Sequence, residues 1–221
     1  MRLNQFCLAV LGFCLSAGVA GAGSFSFTGT FFQDDQLEVF LFTAPAGGAV
    51  VRTWSYAGGT NAQATLIPPG GFDPVLSVFD ATGGLVASSP FVDSNNDGAG
   101  VAQDPATHNA FDSLLTLVNP GTYALVLSQD DNFAIQPTYG DGFSRSGQGN
   151  FTAGAFGCLG SAPFCDSTPA QRNGNWAVDI TGASTAQDIT SSGAAPEPGS
   201  ILLVATAIIG LALIRRRKEQ A

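Results

Sequence analysis

The sequence predicts an all-β protein: a single antiparallel β-sandwich or jelly-roll domain, flanked by an N-terminal signal helix and a C-terminal hydrophobic helix. Three observations carry this expectation. Short apolar stretches alternate with a period of two, as in Trp176-Ala177-Val178-Asp179-Ile180. Turn residues punctuate the gaps, at Pro45-Ala46-Gly47-Gly48, Pro68-Pro69-Gly70-Gly71, Thr82-Gly83-Gly84 and Asn119-Pro120-Gly121. No long stretch between the termini shows helical periodicity.

The elements follow in chain order. Residues 1–22 form a predicted signal peptide: Arg2 supplies a positive charge, Phe6 to Val19 is apolar, and Ala20-Gly21-Ala22 offers small residues to a signal peptidase. The domain is expected over 23–182. Phe25, Phe27, Phe31 and Phe32 open it, and strands are expected at Leu37–Thr43, Ala49–Tyr56, Val75–Asp80, Leu85–Ser88, Leu114–Val118, Tyr123–Ser128 and Trp176–Ile180. That many short strands with turn signals between them suit a sandwich or jelly roll. Residues 183–195 (ASTAQDITSSGAA) hold too little apolar surface to fold and are expected to be a flexible linker.

The last segment, 196–221, has three parts. Pro196-Glu197-Pro198 comes first, then an apolar run over 200–214, then Arg215-Arg216-Arg217-Lys218. As a helix the run would be roughly 22 Å long at 1.5 Å per residue. A bilayer core of about 30 Å asks for about 20 residues, so this is a marginal span. The basic cluster would stay on the cytoplasmic side, leaving the body outside.

The body between the two terminal segments carries fifteen acidic residues against Arg52, Arg145 and Arg172, a balance of −12. Such a surface repels nucleic acid and anionic lipid. It suits divalent cations, or solubility outside the cell. Cys158 and Cys165 are the cysteines left after signal removal, and an isolated pair in an exported chain is expected to form a disulfide. So short a loop gains about 2–3 kcal/mol on the loop-entropy model.

The strongest metal signal is Asp93-Ser94-Asn95-Asn96-Asp97-Gly98, running on to Asp104. Oxygen side chains fall at positions 1, 3 and 5 of a calcium-loop pattern, glycine at 6 and a carboxylate at 12. Short oxygen side chains at that spacing can wrap inward around Ca²⁺. Position 12 is Asp instead of the longer Glu, and strands flank the segment instead of helices. A solvated Asx-rich turn gives the same residues. Asp130-Asp131-Asn132 and Asp141-Gly142 are further acidic turns. Loops gather at the ends of a sandwich, where these would meet Asp73 or Asp112. Those two aspartates belong to an internal echo, Phe72-Asp73-Pro74-Val75-Leu76 and Phe111-Asp112-Ser113-Leu114-Leu115, each with an Asp just before a strand.

Catalytic signals are weak. His108 is the lone histidine, and no G-x-S-x-G, H-E-x-x-H or C-x-x-C occurs.

The C-terminal segment resembles the PEP-CTERM sorting signal of Gram-negative bacteria. In that family an exosortase, a membrane transpeptidase, acts at the Pro-Glu-Pro motif. The body resembles the DVUA0089 family of PEP-CTERM proteins and the bacterial pre-peptidase C-terminal domain. The residues that carry this are Phe72 to Asp80, Asn119 to Asn132, Asp141-Gly142-Phe143 and Asn173 to Ile180. The resemblance implies a jelly-roll sandwich, in some relatives with Ca²⁺ or extracellular polymers bound. It makes Asp73, Asp93, Asp97 and Asp112 candidate ligands.

The expected protein is therefore exported and non-enzymatic. It passes through an inner-membrane intermediate to the outer surface or the extracellular matrix. Signal peptidase, exosortase and exopolysaccharide are its expected partners, and Ca²⁺ its expected cofactor, with Asp93, Asn95, Asp97, Asp104, Asp73 and Asp112 as candidate ligands. The alternatives are a carbohydrate-binding module, with Trp54, Tyr56, Tyr139 and Phe143 as stacking aromatics, and a polysaccharide hydrolase with paired aspartates.

Overall fold

A computed structural model describes residues 22–190. The strands are β1 (Gly23–Thr30), β2 (Glu38–Ala44), β3 (Ala49–Thr53), β4 (Gly59–Thr60), β5 (Leu66–Ile67), β6 (Pro74–Asp80), β7 (Phe91–Asn96), β8 (Leu114–Leu117), β9 (Gly121–Gln129), β10 (Asn175–Ala183) and β11 (Thr185–Asp188). A short α-helix, α1 (Thr152–Phe156), stops at Gly157 in the left-handed conformation. All strand pairs are antiparallel. One sheet has the order β1-β10-β3-β8, a second β11-β2-β9-β6-β7, and β4 and β5 make a small ribbon.

Side-chain alternation decides how the two large sheets meet. Phe40 and Phe42 of β2, Leu76 and Val78 of β6, and Leu125 and Leu127 of β9 point to one side. There they join Val51, Leu115 and Leu117, and Trp176, Val178 and Ile180, from the other sheet in a single core. Each such side chain contributes roughly 1.5–3 kcal/mol by leaving water, before entropy is counted. The intervening residues Val39, Phe79, Ala124 and Val126 form a second cluster on the outer face of the five-stranded sheet, under Phe143, Phe91 and Tyr139. Central strands β6 and β9 are thus covered on both faces. This is why their sequences read as nearly continuous apolar runs instead of clean alternation.

Three expectations change. Leu85–Ser88 is not a strand but a turn region; the strand lies a few residues later, at β7, where a wrapping calcium loop was expected. The expected linker over 183–195 begins with β11, which pairs with β2, Thr185 opposite Thr43 and Asp188 opposite Phe40. Beyond it, Ile189 N–H donates to the Val39 carbonyl at 2.8 Å. The segment has little apolar surface of its own, but an edge of β2 offers it backbone partners. The domain therefore runs past 182, through the last described residue. The signal segment up to residue 21, residues 191–195, Pro196-Glu197-Pro198, the apolar run and Arg215 to Lys218 lie outside the described residues. Among the described residues no helix is long and apolar enough to cross a membrane.

Candidate functional site

The six candidate ligands do not form one set: Asp73 and Asp97 face each other, while Asp93, Asn95 and Asp104 are bonded elsewhere. In β7 the chain is extended at about 3.3 Å per residue, which puts Asp93 and Asp97 about 13 Å apart. Asp93 is exposed, and its Oδ1 accepts the N–H of Ser94 at 2.8 Å. Asn95 spends its Oδ1 on the N–H of Leu114, at 2.8 Å. Asp104 is buried. It accepts Arg172 Nη2 at 3.0 Å and the N–H groups of Ala106 and Thr107 at 3.0 and 2.7 Å. Burial opposes its charge, but the Arg172 guanidinium and those amides outweigh burial and hold its pKa below the usual value. Asp112 accepts Thr53 Oγ1 at 2.9 Å and the N–H groups of Tyr56 and Ala57 at 3.1 and 2.9 Å. Burial still raises its pKa against the lowering effect of these bonds.

A different set does converge. Strands β7, β6 and β9 are neighbours, and Asp97 follows β7, Asp73 precedes β6, and Asp130 follows β9. Antiparallel pairing brings these three ends to the same edge of the sheet: Val75 lies opposite both Asn96 and Ser128. Asp130 N–H donates to the Asp73 carbonyl at 2.9 Å. Asn96 Nδ2 donates to Asp130 Oδ1 at 3.0 Å. Gly98 turns the chain away behind Asp97, so close to β8 that a Cβ there would lie 2.6 Å from the Leu114 nitrogen.

Within this group Asp73 is 1% exposed, and its Oδ1 is sealed from solvent with no hydrogen-bond partner. Asn96 Oδ1 is likewise buried and unpartnered. Asp130 is 8% exposed, and Asp97 stands at the solvent edge. Burial, then the facing charges of Asp130 and Asp97, push the Asp73 pKa well above the ordinary range. Burial raises Asp130 and Asp97 as well. Among the described residues no three acidic, histidine or cysteine side chains already sit at metal-ligand distances. The group is a graded funnel, with Asp73 at its base and Asp97 at its mouth, and not a closed cage.

The other candidates are occupied with structure. Cys158 and Cys165 form a disulfide, with Cα atoms 6.0 Å apart. His108 is exposed in a left-handed turn at φ +62°. Trp54 donates Nε1 to Asp179 at 2.7 Å and lies under Arg52, 3.9 Å from the ring centroid. Tyr56 is fully buried and donates its hydroxyl to Asp166 at 2.6 Å. Phe143 is in the outer cluster, and Tyr139 packs edge-on against Phe79 at 5.4 Å. These four rings do not form an open stacking platform. Asp141 caps its own turn by accepting Thr138 N–H and Oγ1 at 2.9 and 2.8 Å, apart from the funnel.

The sequence places Asp130 in an acidic turn expected to meet Asp73 or Asp112, but not among the candidate ligands. Its signal was the run Ser128-Gln129-Asp130-Asp131-Asn132, in which a strand ends in carboxylates. Asp131 is not part of the funnel, since Arg145 pairs with it. No protein-family model matches the chain, and no curated protein matches it.

Proposed function

We propose that this protein is an exported, non-enzymatic surface or extracellular-matrix module of a Gram-negative bacterium, stabilised by Ca²⁺. Its body is read as a jelly roll: eight strands divide between two sheets that share one core, with β11 added at an edge. The observation that carries the non-enzymatic reading is the use of its polar side chains. Asp34 accepts Thr152 N–H, Thr152 Oγ1 and Phe164 N–H. Asp166 accepts Thr168, Ala170 and Tyr56. With Asp104 and Asp112, these groups fasten loops to the sheets, and the Thr152, Thr53 and Tyr56 hydroxyls that donate to them are themselves sealed from solvent. The Cys158–Cys165 bridge supports an oxidising, extracytoplasmic setting.

In this reading signal peptidase removes the N-terminal segment. The tail holds the chain in the inner membrane until an exosortase processes it at Pro196-Glu197-Pro198, and the body passes to the surface, among exopolysaccharide. The test is mass spectrometry of the surface form from the native host. The expected mature chain lacks Ile201 to Ala221. A mature chain that keeps Arg215 to Lys218 overturns the sorting step and leaves a permanent anchor.

A further inference from the structure

We propose that the funnel at the ends of β6, β7 and β9 is the divalent-cation site of this domain, with Asp73, Asp97 and Asp130 as its carboxylates and the Asn96 side-chain carbonyl as its neutral oxygen. This names the residues behind the Ca²⁺ part of the reading above and rests on it. The segment Asp93 to Asp104, whose residue pattern resembles a calcium loop, contributes only Asn96 and Asp97.

The decisive observation is Asp73. A carboxylate oxygen sealed from water and left without a donor is costly, and native structures rarely keep one unexplained. Its surroundings supply further acids where a counter-charge is needed. Arg52, Arg145 and Arg172, the three bases of the body, are engaged with Trp54, Asp131 and Asp104. No described cation therefore answers the funnel. The Asn96 amide is also oriented for this role. Its nitrogen is spent on Asp130, which leaves Oδ1 buried and unpartnered beside the acids.

The donor set is all oxygen, which selects a hard cation. The three strand ends fix Asp73 and Asn96, while Asp97 at the mouth is free to swing inward about its side-chain torsions. A site closed by such a movement, with solvent completing the shell, suits the irregular six- to eight-fold coordination of Ca²⁺. It suits the strict octahedron of Mg²⁺ less well.

The test uses the full chain in detergent, stripped of metal, with CaCl₂ and MgCl₂ as the probes and calorimetry and thermal melting as the readouts. Ca²⁺ is expected to bind once per chain and to raise the melting temperature by about 5 °C at a hundredfold excess over Kd, with a smaller rise from Mg²⁺. Asp97→Asn, at an exposed position that does not threaten the fold, should weaken Ca²⁺ binding roughly tenfold or more. Asp73→Asn should abolish the Ca²⁺ response and raise the melting temperature in EDTA. A merely structural Asp73 would give the opposite sign in EDTA. Asp93→Asn should bind Ca²⁺ like the parent.

Identical melting curves in Ca²⁺ and EDTA, with no heat of binding, overturn the site and the cation part of the functional reading together. A Ca²⁺ response that survives Asp97→Asn and Asp73→Asn, or is lost in Asp93→Asn, overturns this site alone. The export and sorting reading is decided separately, by the mass of the mature chain.

Discussion

Asp73 and Asp112 stand at the same point of two similar segments, yet their carboxylates have opposite surroundings. Each follows a Phe and precedes an apolar strand, β6 for one and β8 for the other. The two lie close in space: Ser113 Oγ donates to the Pro74 carbonyl at 2.7 Å. Asp112 belongs to the four-stranded sheet, where the end of β3 supplies Thr53 Oγ1 and the segment after it supplies two backbone N–H groups. Asp73 belongs to the five-stranded sheet, where its neighbours are the ends of β7 and β9 and bring Asp97 and Asp130. One aspartate is a clasp. The other is an open acceptor among like charges. A local motif of Phe-Asp before a strand specifies neither role, because the partners come from elsewhere in the chain.

The comparison can be broken hardest at Arg172. It links the clasp side of the molecule, donating to the carbonyls of Gly71 and Tyr56 at 3.0 and 2.7 Å and pairing with Asp104, both partners nearly fully buried. Arg172→Ala leaves the Asp104 carboxylate buried without its cation. Urea unfolding should show a loss of about 4 kcal/mol. A loss below 1 kcal/mol would mean that Asp104 relaxes out to water.

Asp112→Ala comes next. It orphans the Tyr56 and Ala57 N–H groups, and the expected loss is about 3 kcal/mol by the same measurement. The matching change at Asp73 should have the opposite sign. In EDTA, Asp73→Asn replaces a buried acid that lacks a donor and faces like charges by a neutral amide, and should stabilise by about 1 kcal/mol. If both substitutions destabilised alike in EDTA, the contrast between the two aspartates would fail.

The smallest expected effect is a pH dependence away from both sites. Glu38, at the start of β2, is pushed up to about 7 from 4.5, first by burial and then by its hydrogen bond with Asp188 of β11. A carboxyl whose pKa is higher folded than unfolded holds its proton more tightly in the fold. The stability it contributes is full below about pH 4.5 and is lost as the pH rises through about 7. In EDTA the melting temperature should therefore be higher at pH 5 than at pH 8. Glu38 is only part-buried, so its share is about 1 kcal/mol after solvent screening. Asp73 and Asp130 act in the same direction, so Glu38→Gln should shrink the pH difference without removing it. An unchanged difference would remove Glu38 from the account.

Much of the fold was legible. Trp176, Val178 and Ile180 alternate, and all three reach the shared core. Tyr123 to Ser128 lies inside β9, and Cys158 and Cys165 pair as expected. The misreadings have a common cause. Phe91 to Asn96 carries Asp, Ser and Asn, which favour turns locally, but β6 offers it a strand partner from Val75 to Phe79 and tertiary pairing overrides propensity. Thr185 to Asp188 looked too polar to fold for the same reason. Backbone pairing to β2 does not depend on side-chain polarity.

The sequence by itself determined the period-two patterning, the turn positions, the net negative charge and the cysteine pair. These depend on residue type and short-range spacing, which a linear chain displays directly. Only the tertiary structure decided which aspartates meet. Asp73, Asp97 and Asp130 come from distant parts of the chain and are joined by the order β9-β6-β7. Asp93 and Asp97, four residues apart, are held away from each other by an extended backbone. Strand pairing sets the distances between side chains in a sheet, and separation along the sequence does not reveal it.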